Sequence, residues 1–146
     1  GIVHCHLADL LAGLQWKFHS VNLMAPAATV ALFEQKLLPH IRSGAVRQYH
    51  QWHLSDPLES ADSTCRPILG FGRSLLYLVS ESFEGGQRTP ILGMQKYLPP
   101  ELAARANVSI HAAQSRDTNS TTHGGFDDDD ATQASVIRRI LTAGAP

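Results

Sequence analysis

Residues 45–54 read Ala-Val-Arg-Gln-Tyr-His-Gln-Trp-His-Leu, "AVRQYHQWHL". Aromatic and β-branched residues are concentrated here, and they fit a pleated surface packed on its faces. Gly44 breaks the chain before the stretch and a polar segment beginning Ser55-Asp56-Pro57 follows it. The stretch therefore predicts a β-strand. Two further runs have the same character. "FHSVNLMAP" (Phe18 to Pro26) is an apolar run stopped by proline, and "ANVSIHAA" (Ala106 to Ala113) is a second match.

The segments between these runs change period. Ile2, Val3, Leu7, Leu10, Leu11 and Leu14 fall at helical spacing, so residues 2–14 predict an amphipathic helix. Residues 27–41 return to that spacing through Val30, Phe33, Leu37 and Leu38, with Pro39 placed to end or kink the helix. Leu75, Leu76, Val79 and Phe83 predict a helix over 72–83, entered by a glycine turn at 70–74 and left by a turn at 84–90. Residues 55–67 read as a polar loop, residues 91–98 as a short helix or covering loop, and residues 114–127 as a polar loop. "DDATQASVIRRIL" (129–141) predicts a closing helix: its acidic start suits the positive end of the helix dipole, and Arg138 and Arg139 suit the negative end.

Helices alternating with strands imply parallel pairing through right-handed crossovers. The expected fold class is α/β, a mostly parallel sheet of about three strands flanked by helices. Three strands make a small sheet that needs cover on both faces. Residues 1–146 are therefore expected to form one partial domain, the C-terminal half of a larger one, truncated at its N-terminus. Gly1 stands where a methionine would begin a chain, and the first segment already reads as a helix from mid-protein.

Composition narrows the function. Twelve basic and thirteen acidic residues give a formal charge of −1. That balance opposes nucleic-acid binding through phosphate neutralisation. No apolar stretch approaches the roughly 20 residues of a membrane span. The opening lacks the basic region of a signal peptide, so a cytoplasmic location is expected. Cys5 and Cys65 are the only cysteines, and two reduced thiols are the expected state. An incomplete sheet would expose a strand edge that invites self-association.

In open parallel sheets, functional groups collect in loops at the carboxyl ends of the strands. The loop after the second strand holds Ser55, Asp56, Glu59 and Asp62; the loop after the third ends in His123, within "STTHGGFDDDD" (120–130). An acid on one such loop and a histidine on the next suit proton transfer from a hydroxyl nucleophile. Asp56 is the first candidate acid and Asp62 the alternative. No cofactor or metal is expected. His4 and His6, and His50 and His53, are spaced to point to different faces, and none of these pairs makes a zinc motif. The four aspartates, Asp127 to Asp130, lack the spacing of a calcium loop and suit a helix start with one of them as cap.

The order strand, acid loop, strand, histidine loop, closing helix resembles the last third of the α/β-hydrolase fold. "LMAPAAT", "YHQWHLSD", "TCRPILGFGRSLLYLVSESFEGG", "TPILGM" and "STTHGGFDDD" resemble an uncharacterised bacterial group of α/β-hydrolase-like proteins over nearly the whole chain. The resemblance implies a serine hydrolase of esterase or lipase type acting on a small ester or acyl substrate, with His123 as catalytic histidine and Asp56, or Asp62, as its acid. No G-x-S-x-G occurs in the chain, so the implied serine would precede Gly1, and the fragment alone would be inactive. A non-catalytic binding or interaction module on the same scaffold is the alternative.

Overall fold

The computed structural model describes residues 1–65, 73–83 and 88–143. Three strands, β1 (Phe18–Met24), β2 (Val46–His53) and β3 (Val108–Ala112), form one parallel sheet in the order β1-β2-β3. Phe18 pairs with Val46 and Met24 with Trp52; Tyr49 pairs with Val108 and His53 with Ala112. The expected α/β class and parallel sheet are both present. The glycine turn at 70–72, the turn through 84–87 and the tail at 144–146 lie outside the described residues.

The helices are α1 (Ile2–Gly13), α2 (Val30–Lys36), α3 (Leu38–Ser43), α4 (Asp56–Ala61), α5 (Leu75–Leu78), α6 (Pro100–Ala103) and α7 (Asp130–Ala143). Thr29 caps α2, its hydroxyl accepting from the Leu32 N–H at 3.1 Å. The single helix expected over 27–41 is two, because Pro39 stands in the first turn of α3 and supplies no N–H to continue the α2 ladder. Gly44, at φ +79°, ends α3 in the left-handed region that glycine enters without steric cost.

Two further differences come from short-range chemistry. The loop expected at 55–67 contains α4, which opens Asp56-Pro57, a favourable first turn. The helix expected over 72–83 starts at Leu75, capped by Ser74, and widens at Val79 into a π-turn through Phe83. Short 3₁₀ turns occupy Gln95–Tyr97 and His123–Gly125.

From Tyr49 to His53 every residue of β2 is buried, as a central strand covered on both faces must be. Leu23 and Tyr49 join one core with Cys5 and Ala8 of α1, Phe33, Ile41 and Leu102. Trp52 belongs to a second core with Leu54, Leu76, Ile91, Met94 and Phe126, against which Val136 of α7 packs. The polar members of β2 are bonded in place: Tyr49 Oη donates to Gln51 Oε1 at 2.6 Å, and Gln51 Nε2 donates to the Leu92 carbonyl at 2.9 Å.

Helix α1 forms where expected, but its leucine stripe does not face the core. Val3, Leu10 and Leu14 are 73 %, 65 % and 62 % exposed, whereas the small residues Cys5 and Ala8 make the buried contact. Among the described residues β1 pairs only with β2, so its outer edge is free. Leu7 of α1 and Val136 and Ile140 of α7 line a cavity beside Phe18, Ser20 and Asn22 of β1. No helix among the described residues is long and apolar enough to cross a membrane.

Candidate functional site

The carboxyl ends of the strands are shaped by close backbone packing. Ala25, directly after β1, has φ +39°, a left-handed value uncommon for a residue with a side chain. Gly93 packs against it, donating to the Pro26 carbonyl at 2.9 Å. The N-terminus of α1 lies on this same edge: an ideal Cβ on Gly1 would stand 3.1 Å from Ala28 N and from Pro26 Cβ.

Asp62 follows α4 and is buried. Its Oδ1 accepts from the Thr64 N–H at 2.9 Å and from the Thr64 hydroxyl, and its Oδ2 accepts from the His123 N–H at 2.8 Å. Asp62 thus ties the loop after β2 to the loop after β3. Asp56, the first candidate, is engaged elsewhere. Its Oδ1 accepts from the Lys96 N–H at 3.2 Å, and its own N–H donates to Gln95 Oε1 at 3.0 Å. Of the two carboxylates, Asp62 is the one brought to His123.

The His123 ring lines a cavity of about 300 Å³ with Met24, Gly124, Phe126 and Asp127. Its Nδ1 is buried with no hydrogen-bond partner among the described residues. Burial lowers its pKa, and the Asp62 charge opposes that in part. The imidazole is therefore neutral at pH 7, the state in which it can take a proton.

Glu59 lies within α4, fully buried. Burial raises its pKa to about 7, the charges of Asp62 and Asp56 adding to the effect and a hydrogen bond from Ser74 opposing it. The Ser74 hydroxyl donates to Glu59 Oε2 in a short contact, and Oε1 has no partner among the described residues.

The aspartate run starts α7. Asp129 Oδ2 accepts from the Thr132 N–H at 3.0 Å, from the Thr132 hydroxyl at 2.6 Å and from the Asn119 N–H at 2.8 Å. It thus caps the helix and ties down the preceding loop, as expected for one of the four.

A second polar constellation lies under α7. His111 of β3 stacks on Trp52 with ring centroids 4.6 Å apart and on His50 at 5.9 Å. His111 Nδ1 lies 3.2 Å from Asp117 Oδ2, and both side chains are buried. Burial and the Arg139 charge lower the His111 pKa, with Asp117 opposing, so a neutral ring donates from Nδ1 and Nε2 is left without a partner among the described residues. Ser135 Oγ donates to Asp117 Oδ1 at 3.0 Å, and Arg139 Nη2 stands 3.5 Å from it. Burial would raise the Asp117 pKa, but the Ser135 hydrogen bond, His111 beside it and the Arg139 and Arg116 charges hold it below the ordinary value.

Nothing in the sequence singles out this cluster. His111, Asp117 and Arg139 come from a strand, a loop and a helix; only β-alternation, which puts His50 and His111 on the same face as Trp52, foreshadows it. His50, His111, His123 and Asp56 do not gather at one point: the first two stack under α7, while His123 is tied to Asp62. No group of three or more His, Cys, Asp or Glu side chains suited to a metal occurs among the described residues.

Comparison with protein-family models, with curated proteins and with solved structures finds no match to this chain.

Proposed function

We propose that the carboxyl edge of the sheet is the acid–histidine half of a serine hydrolase acting on carboxylic esters, on an α/β-hydrolase-like scaffold. One observation carries the reading. Asp62 and His123, from successive strand-end loops, are joined by a 2.8 Å hydrogen bond from the His123 backbone N–H, and the half-buried imidazole is neutral, its Nδ1 buried without a partner among the described residues.

In this mechanism His123 takes the proton from a serine hydroxyl as its Oγ attacks the ester carbonyl. Backbone N–H groups steady the oxyanion, and His123 returns the proton to the leaving alcohol. Water then cleaves the acyl-enzyme by the same proton path. Asp62 stabilises the imidazolium when the ring turns Nδ1 toward the carboxylate. The nucleophile is a serine placed before Gly1 in a longer chain.

The test is fluorophosphonate labelling and p-nitrophenyl ester turnover by the full-length natural protein. His123→Ala should lower turnover by about 1,000-fold or more. Unchanged labelling and turnover in that variant would sink the assignment.

The competing reading is a non-catalytic module on the same scaffold. It is favoured by the fact that Asp62 bonds the His123 backbone N–H and no carboxylate of the described residues pairs with the ring nitrogen Nδ1. The absence of labelling in the full-length protein would select it. In either reading the free β1 edge and the exposed Leu7 and Ile140 beside it support self-association with a second copy. Sedimentation that stays monomeric across the concentration range would remove that proposal.

A further inference from the structure

A cavity of about 350 Å³ opens at the amino ends of β2 and β3, at the opposite end of the sheet from His123. Arg47, Gln48, His50, Asn107, Ser109 and Arg139 line it, and among the described residues no carboxylate does. We propose that this cavity binds a small phosphate-bearing molecule that also carries a hydroxyl group, the two arginines holding the oxyanion and His50 receiving the hydroxyl.

Charge balance favours an anion. Among the described residues, Asp117 is the one carboxylate set against three guanidinium groups: Arg139 at 3.5 Å, and Arg138 and Arg116 at 3.8 Å. That leaves a cationic excess beside the cavity, to which exposed Arg47 adds another charge. A guanidinium fork suits phosphate oxygens. The Nε of Arg139 is buried with no partner among the described residues, so one of its N–H donors is unused.

His50 contributes the opposite polarity. Its Nε2 lies 3.3 Å from Gln48 Oε1, which can only accept, so Nε2 carries the hydrogen. The ring is neutral at pH 7, since burial, the Arg139 charge and His111 lower its pKa to about 4. Nδ1 is then a bare acceptor, buried and without a partner among the described residues. A buried acceptor left unpaired is costly, and a ligand hydroxyl would recover that cost. The size suits a small ligand, at the low end of ordinary binding cavities.

This site is independent of the hydrolase reading. The test is calorimetric titration of the chain with glycerol 3-phosphate, inorganic phosphate and glycerol, combined with NMR of the imidazole resonances. Both phosphates should bind and glycerol should not, with glycerol 3-phosphate the tighter of the two. The His50 and His111 signals should move while those of His123 stay. Arg47→Ala, at an exposed position that leaves the core intact, should weaken binding about tenfold. Three results would each overturn the proposal: affinity for both phosphates weaker than about 10 mM, unchanged affinity in Arg47→Ala, or signals that move at His123 instead of His50.

Discussion

The His123 backbone N–H rests on the carboxylate of Asp62 at 2.8 Å, while Nδ1 of the same residue is buried without a partner among the described residues. Asp62 therefore acts on His123 in two ways: it fixes the loop by a hydrogen bond and lifts the imidazole pKa by its charge. Asp62→Asn keeps an acceptor but removes the charge. The His123 pKa should fall further below its ordinary value in that variant, read by NMR titration of the ring. Asp56→Asn should leave it where it is, because Asp56 bonds to Gln95 and Lys96. Equal movement in both variants would remove Asp62 from its assigned place.

The Asp117 carboxylate gathers β3 and α7 through His111, Ser135 and Arg139. Asp117→Ala removes the acceptor that all three share and leaves a partly buried guanidinium without its counter-charge. Losing one partner of such a pair costs about 3 kcal/mol. The loss should appear as a lower urea midpoint and as faster amide exchange in α7, with Ser135→Ala giving a smaller effect in the same direction. Native exchange in α7 of the Asp117→Ala chain would show that apolar packing alone holds the helix.

Much of this architecture is legible in the sequence because periodicity reports burial directly. The three strands are visible as aromatic and β-branched runs, and the closing helix as an acidic start followed by a basic end. Local exceptions escape. Helix α4 is hidden in a stretch whose Ser, Asp and Pro also make turns, and the break at Leu37 depends on where Pro39 falls in the helix. The stripe of α1 is legible but its partner is not, since periodicity states which face is apolar and never what covers it. The site divides the same way. Two carboxylates and a histidine stand on adjacent strand-end loops, but choosing Asp62 over Asp56 requires the path of the chain through α4. The His50–His111–Asp117 cluster depends on contacts across sixty-seven positions of sequence, from His50 to Asp117, which no local spacing encodes.

Gly93 sits where the backbone of the β1 loop leaves no room. An ideal Cβ there would stand 2.8 Å from Ala25 C, Pro26 N and Pro26 O, all of them backbone atoms that cannot swing aside. Gly93→Ala should cost about 2 kcal/mol, the middle of the range for overpacking. It should also disturb the amide signals of residues 25–28, read by NMR. Gly124→Ala is the control: a Cβ added at Gly124 would meet nothing within 4 Å among the described residues, so stability should be nearly unchanged. Equal losses in the two variants would mean that the tight approach of Gly93 to the β1 loop does not govern stability.

Glu59 and His50 give stability a pH dependence with two opposing arms. Burial raises the Glu59 carboxyl to about 7, whereas in an unfolded chain it would titrate near ~4.3. Between those values the folded chain keeps a proton that the unfolded chain has released, so stability falls as pH rises through this window. His50 does the reverse. Its folded pKa of about 4 lies below the ~6.5 of a free imidazole, so stability falls as pH drops through that window. The two slopes nearly cancel where the windows overlap, and Glu59→Gln should remove one of them. The variant should gain stability over the parent at about pH 8 by roughly 3 kcal/mol more than at about pH 4. Urea unfolding at the two pH values reads the difference, and a gain that is the same at both would show that Glu59 does not hold its proton in the folded chain.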